Sequence, residues 1–156
     1  MGCSWCDLDN SSNYFIYTSE HFNVYLSEDQ SLLGRLILVL NRHASSLSDL
    51  TSEEIQDFFS NVKIIEKTLA ESFGATMFNW SCLMNNSYKE QPCFPHVHWH
   101  CRPPYAHDVS FTGQVFSDPD FAHHYNNKRK LTVSSEVQHM IITSIRTSIK
   151  NNFTIL

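Results

Sequence analysis

Three histidines alternate with other residues in the second half of the 156-residue chain, at His96, His98 and His100. Successive side chains of a β-strand point to opposite faces, so these imidazoles would share one face, about 6.5–7 Å apart along the strand. The residues between them would then face a core. The spacing therefore predicts a strand over residues 96–102 that presents a row of imidazoles.

Aligned imidazoles support more than one kind of chemistry. A neutral imidazole can attack phosphorus through one ring nitrogen while the other nitrogen keeps its proton and donates it to an acceptor. A metal site would combine two or three imidazoles with a carboxylate, but the first acidic residue after the run is Asp108, which disfavours this interpretation. Ordinary strand histidines are a third interpretation, disfavoured by the strict alternation.

Strands and helices around this run must position it. Aromatic and β-branched residues predict strands at 15–18 and 22–26, and Gly34 precedes a buried strand at 35–41. A further strand is predicted at 75–84, and the segment 110–125, with Gly113 and Pro119, is expected to be an irregular loop.

Two helices complete the prediction. Thr51 and Glu54 form a capping box, apolar residues follow at spacings of three and four, and Gly74 is a natural stop. A second helix is predicted at 135–150. Strands, helix, strands and helix in this order indicate an α+β fold with an antiparallel sheet.

Composition limits the classes of partner. The net charge of −5 gives no electrostatic reason to expect nucleic acid or an anionic membrane, and Lys128, Arg129 and Lys130 are expected to form a solvated turn. The longest apolar run, residues 36–40, is too short to cross a bilayer, and no signal-peptide pattern is found. Five cysteines, an odd number, favour a reducing compartment, so we expect a cytoplasmic protein.

The segment from His96 to Pro103, HVHWHCRP, resembles the motif of the histidine-triad (HIT) superfamily, in particular its bacterial diadenosine tetraphosphate hydrolase-like branch. The resemblance extends to residues 34–43, 46–54 and 79–85 and covers roughly residues 3–105. It implies a HIT-like fold: an antiparallel sheet of about five strands with a central helix and a C-terminal helix. We expect one domain, 1–156, with a C-terminal extension, 106–156, that holds a loop and the second helix.

The resemblance also implies a function. His98 would attack the α-phosphorus of a dinucleoside polyphosphate or nucleoside phosphoramidate to form a nucleotidyl-histidine, with His100 and His96 orienting and polarising the site. Asn85 would lie near the phosphate and Asp29 in the loop that meets the ribose, and Gln91 is a third expected nucleotide contact. The family's homodimeric assembly is expected as well.

Three departures from the family pattern bear on the phosphate contacts, and the first two favour an alternative, a nucleotide-binding or interaction protein with weakened catalysis. Arg35 follows Gly34 where the family often has histidine. Gln91 is offset from the glutamine usually found shortly before the triad. Pro104 follows Pro103 where Pro-Arg is common.

Cys3 and Cys6 have the spacing of metal ligands, but two thiolates do not complete a tetrahedral site. The resemblance supplies the other two as His43 and His96, which would make a structural zinc site that ties the N-terminal segment to the triad strand. The alternative is a frayed terminus with two free thiols.

Overall fold

The computed structural model describes residues 2–89, 91–124, 126 and 128–153. Met1, Glu90, Tyr125 at the end of the predicted loop, Asn127 and residues 154–156 lie outside this part of the chain. Five strands form one antiparallel sheet: β1 (Phe15–Thr18), β2 (Phe22–Leu26), β3 (Leu36–Leu40), β4 (Asn79–Ser81) and β5 (His98–Arg102). Their order in the sheet is β1-β2-β3-β5-β4.

The long helix α1 (Ser52–Phe73) has the predicted capping box. The Thr51 hydroxyl accepts from the backbone N–H of Glu54, and the Glu54 carboxylate accepts from the backbone N–H of Thr51 at 2.8 Å. The same carboxylate accepts from Nε of Arg42 at 2.6 Å, which ties the helix start to the chain just after β3. Gly74, in the left-handed conformation, ends the helix.

The second helix, α2 (Ser135–Asn152), packs against α1 and β1. Its Arg146 side chain donates to the backbone carbonyls of Phe15 and Ile16 at 2.9 Å. Both helices and the sheet contribute to one core, which includes Leu38, Leu69 and Ile141.

Gly34 allows β3 to begin against the end of α1. Its φ is +78°, and a Cβ built there would lie 2.9 Å from Cδ2 of Leu69 and 3.1 Å from the Phe73 ring. A larger residue would therefore suffer both backbone strain and a steric clash.

The register of β5 against β3 decides which side chains share a face. Leu38 pairs with Trp99, while Ile37 pairs with His100 and Val39 with His98. Trp99 stacks on Phe58 of α1, with ring centroids 4.4 Å apart, so this face is the core face. The opposite face carries His98 and His100, as the alternation predicts.

Several element boundaries differ from the prediction. The predicted strand at 75–84 is reduced to β4, and two short helices of 3-10 type occur at Leu47–Asp49 and Asn85–Tyr88. The predicted loop contains a hairpin of β6 (Val109–Phe111) and β7 (Gln114–Phe116). Thr112 and Gly113 have φ of 50° and 78°, as a tight two-residue hairpin turn requires.

No helix in the described ranges is both long and apolar enough to span a membrane. The expected boundaries of a single domain, 1–156, stay a prediction.

Candidate active site and metal-donor cluster

The middle histidine of the motif is held in one tautomer. Nδ1 of His98 lies 2.8 Å from the backbone carbonyl of His96, and because a carbonyl only accepts, this nitrogen carries the proton. In the neutral ring, Nε2 then has the free lone pair. Burial lowers the pKa of His98, so the ring is neutral near pH 7. Such an imidazole has the form that a nucleophile needs.

The last histidine stands beside it. The rings of His98 and His100 are in edge contact, with centroids 5.0 Å apart. Burial, followed by the charges of His98, Arg102 and Arg35, lowers the pKa of His100 to about 3. Its Nδ1 is buried and has no hydrogen-bond partner in the described part of the chain. His100 is therefore a neutral side chain with an unused polar atom.

A cavity of about 670 Å³ opens at His100. Five lysine and arginine residues and three aspartates line it among the described residues, although the whole chain carries a net charge of −5. These charged residues are Arg35, Lys89, Arg102, Arg129, Lys130, Asp29, Asp118 and Asp120. The cavity is of ligand size and locally cationic, so it suits an anionic ligand.

Two of the three predicted nucleotide contacts reach this cavity. Asn85, at the start of a short helix of 3-10 type, and Asp29 both line it. Gln91 is exposed and is not among the lining residues.

Arg35 and Asp29 form an ion pair in the cavity wall, at the position where the family often has histidine. Burial raises the pKa of Asp29, but hydrogen bonds from the backbone N–H groups of Ser31 and Leu131 and the charge of Arg35 outweigh this and lower it. Asp29 is therefore ionised, and part of its hydrogen-bonding capacity is already used within the protein.

The first histidine of the motif faces a different group. Nδ1 of His96 lies 3.2 Å from Sγ of Cys3 and 3.4 Å from Sγ of Cys6, and Nδ1 of His43 lies 3.5 Å from Sγ of Cys6. All four donor atoms lie within 4.8 Å of one another. We call these four residues the Cys/His cluster.

The cluster has the donor set and spacing of a zinc site. With Zn–S of about 2.3 Å and Zn–N of about 2.05 Å, sulfur and nitrogen ligands of a tetrahedral ion lie about 3.5 Å apart. Nε2 of His96 lies 2.8 Å from the carbonyl of Leu40 and so carries the proton, which leaves the Nδ1 lone pair facing the thiols. The cluster can therefore hold a metal ion, whereas within the described residues His98 and His100 join no such group.

Comparison with known proteins adds the family. A model of the HIT domain matches residues 9–107. The chain belongs to the HIT family.

Among curated proteins, this HIT protein is 28% identical over 87 residues to the asymmetrical bis(5'-nucleosyl)-tetraphosphatase of Schizosaccharomyces pombe. The match covers 56% of this chain and 47% of that protein, so it spans about half of the relative's length.

Among solved structures, a hypothetical histidine triad nucleotide-binding protein from Sulfolobus tokodaii has a TM-score of 0.68 at 19% identity, covering 96% of this chain and 93% of that chain. A zinc-bound histidine triad family protein from Mycobacterium smegmatis has a TM-score of 0.58 at 19% identity, covering 91% and 87%. These likenesses show that the HIT-like α+β fold is shared, as the sequence predicted.

The C-terminal extension of the HIT protein, residues 106–156, supplies a part of the site that was not predicted from the sequence. We call the described residues 118–124, 126 and 128–131 the strap. The backbone N–H of Leu131 donates to Oδ1 of Asp29 at 3.1 Å, and the carbonyl of Leu131 accepts from the backbone N–H of Gln30 at 2.7 Å. These bonds dock the strap beside the ion pair of Asp29, where it forms one wall of the cavity.

The basic cluster at 128–130 was predicted to be a solvated turn, and for Arg129 this was wrong. Its guanidinium pairs with Asp118 and Asp120 and donates to the carbonyl of Ser31. Asp118 in turn accepts from the backbone N–H of Tyr105 at 3.2 Å. The sequence shows three adjacent basic residues, but no local pattern predicts that Arg129 contacts Ser31, about a hundred residues earlier in the chain.

Proposed function

We propose that this HIT protein cleaves a nucleotide phosphoanhydride or phosphoramidate through a nucleotidyl-histidine on His98. The observation that carries the proposal is the hydrogen bond from Nδ1 of His98 to the His96 carbonyl, which leaves Nε2 unprotonated. The ring of His98 contacts His100, and His100 lines the cationic cavity. The activity for which the Schizosaccharomyces pombe relative is named supports the same class of reaction.

The chemistry takes two steps. The lone pair on Nε2 of His98 attacks the α-phosphorus, a P–N bond forms, and the bond from phosphorus to the leaving group breaks with its electron pair on the leaving atom. Water then attacks phosphorus, the P–N bond breaks and returns its electron pair to Nε2, and the water proton is lost to solvent. A nucleotide acceptor in place of water would give transfer instead of hydrolysis.

Neighbouring groups have separate parts in this scheme. The His96 carbonyl stabilises the imidazolium that forms when Nε2 bonds to phosphorus, because it accepts from Nδ1. His100, which lines the cavity, can orient the phosphate or donate to it. Arg35, Arg102 and Asn85 line the cavity where phosphate charge would lie.

A dinucleoside polyphosphate is the substrate class that we favour. Five cationic side chains in the cavity wall suit several phosphates better than the single phosphate of a phosphoramidate. Asp29 would lie toward the ribose, as the resemblance implies. Gln91 stays a predicted contact without a place in the cavity.

We also propose that Cys3, Cys6, His43 and His96 hold a structural zinc ion. Bound there, the metal would supply no chemistry to the substrate, and would fix the segment that precedes β5. The expected homodimer and cytoplasmic location stay predictions.

Turnover of diadenosine tetraphosphate and adenosine phosphoramidate by the wild type and His98→Asn tests the main proposal. We expect the variant to lose roughly 10⁴-fold or more in kcat. His139→Asn, which changes an exposed histidine of α2, is the matched control and should retain activity. Mass spectrometry after alkaline quenching should find a nucleotidyl group on His98, since the P–N bond is acid-labile. Equal turnover by His98→Asn would refute the nucleophile.

The second candidate is a nucleotide-binding protein with weakened catalysis. Arg35 in the place of a histidine and the exposed Gln91 favour it. This candidate predicts calorimetric binding of adenosine nucleotides with negligible turnover of both substrates, whereas the first predicts a trapped intermediate.

A further inference from the structure

We infer that Trp5 is a positioning residue for His98, and that the short loop between Cys3 and Cys6 couples the Cys/His cluster to the nucleophile. The kinetic part of this inference rests on the proposed function. The structural part does not, because it concerns the contact between two side chains of this chain.

Trp5 lies directly on the His98 ring. The ring centroids are 4.5 Å apart and the planes are inclined by 27°, which is a stacked arrangement. His98 is only 4% exposed. One face of the imidazole is therefore in contact with the indole, and the edge contact with His100 restricts the ring further.

The position of Trp5 depends on the two cysteines that flank it. The backbone N–H of Cys6 donates to the carbonyl of Cys3 at 3.0 Å, so the loop is a closed turn with Trp5 inside it. Both thiols lie within 3.4 Å of Nδ1 of His96. An interaction that keeps these two thiols against His96 therefore also keeps the Trp5 indole against the His98 ring.

The cluster thus reaches the same imidazole by two routes. Through the backbone carbonyl of His96 it fixes Nδ1 of His98, and through Trp5 it fixes the face of the ring. Together these contacts resist rotation of the imidazole while Nε2 makes no hydrogen bond to the described residues. Attack on phosphorus needs an aligned lone pair, and small misplacements of a reacting group are costly in rate.

The stack also suits the charge that develops. When Nε2 bonds to phosphorus, the His98 ring becomes a cation, and an indole face attracts a cation. The contact between Trp5 and His98 would therefore strengthen in the intermediate, so we expect Trp5 to act on kcat and not on KM.

Kinetics of Trp5→Ala and Trp5→Phe form the first arm of the test. We expect Trp5→Ala to lower kcat by roughly 10–100-fold with KM for diadenosine tetraphosphate changed less than about twofold. Trp5→Phe keeps an aromatic face and should recover most of the loss. A raised KM at unchanged kcat would overturn the inference, because Trp5 would then be a stacking surface for the substrate; unchanged kinetics would overturn it too.

Chemical labelling of His98 forms the second arm. Diethyl pyrocarbonate modifies free imidazole nitrogens, and tandem mass spectrometry assigns the modified histidine. We expect severalfold faster labelling of His98 in Trp5→Ala and in His43→Gln, which removes the exposed ligand of the cluster without touching Trp5. The control His139→Gln should leave the rate unchanged.

Unchanged labelling of His98 in both Trp5→Ala and His43→Gln would overturn the coupling. Circular dichroism identifies a variant that does not fold, and the remaining variant then decides. If the wild type turns over no nucleotide, the proposed function fails, while the labelling rates still decide whether Trp5 and the cluster position His98.

Discussion

His96 and His100 lie at the two ends of one histidine motif, and their surroundings are opposite. His96 is completely buried, and both of its ring nitrogens have partners, the Leu40 carbonyl and the thiols of Cys3 and Cys6. His100 has an unpartnered Nδ1 and stands at a cavity with cationic walls. The surroundings of these two identical side chains, four residues apart, fit a structural role for His96 and the proposed ligand contact for His100, with His98 between them.

The largest expected effect comes from a substitution in the Cys/His cluster, at the His96 end of the motif. Cys3→Ser should lose the metal and destabilise the protein by about 4 kcal/mol, since metal-binding free energy is also folding free energy. In a protein of this size the melting temperature would fall by roughly 10 °C. Metal analysis and thermal unfolding measure the effect. Cys93→Ser, at a thiol outside the cluster, is the control, and equal metal content and stability in both variants would argue against a metal site.

The next largest effect is expected from a substitution of His100, at the other end of the motif. His100→Asn should lower kcat by about 100-fold, a barrier change of about 2.7 kcal/mol, because a group that meets the phosphate is lost. Metal content and melting temperature should stay close to those of the wild type. Steady-state kinetics on diadenosine tetraphosphate are the measurement. A variant that loses metal but keeps kcat would reverse the assignment of the two ends.

The free energy of unfolding should also depend on pH through His100. The pKa of His100 is about 3 in the folded protein and about 6.5 when unfolded, so between these values only the unfolded chain binds the proton. Its contribution to stability is thus complete above pH 6.5 and is lost as the pH falls toward 3. From pH 6.5 to 5 the loss is about 1.7 kcal/mol.

Urea unfolding at the two pH values measures this difference. His100→Asn should lose less stability on acidification than the wild type does. Parallel losses in the two proteins would show that His100 is not the group that titrates.

The smallest effect separates two predicted nucleotide contacts. Asn85 lines the cavity and Gln91 does not, so Asn85→Ala should raise KM by roughly fivefold, about 1 kcal/mol, and Gln91→Ala by less than twofold. The same kinetic assay compares them. A larger effect at Gln91 would indicate that its loop closes on the substrate.

The features that were predicted best from the sequence depend on residues that are close together in the chain. The capping box of Thr51 and Glu54 and the stop at Gly74 place α1 within a residue, because caps depend on neighbours in the chain. The alternation from His96 to His100 predicted three imidazoles on one face of a strand at 96–102; two of them, His98 and His100, lie on one face of β5, and His96 precedes the strand. Cys3 and Cys6 of the Cys/His cluster were predicted from their spacing and His43 and His96 from family resemblance, and the structure brings the four together.

The features that escaped prediction depend on distant contacts. Phe111 in the unexpected hairpin packs on Phe73 of α1 at 5.3 Å, which no pattern around Gly113 contains. Trp5 reaches His98 only because the cluster folds the N-terminal segment against β5. The ion pairs of Arg129 likewise exist only once the strap lies beside residues 29–31.

The strap has a consequence for how this protein could diversify. It reaches the cavity from a separate stretch of chain and is held there by backbone groups of Leu131 and by the side chains of Asp118 and Arg129. Insertions or exchanges between Asp118 and Arg129 would therefore reshape one wall of the cavity while β5 and its imidazoles stay in place. The substrate range can thus evolve through changes in the strap, while the chemical step depends on the sheet and stays unchanged.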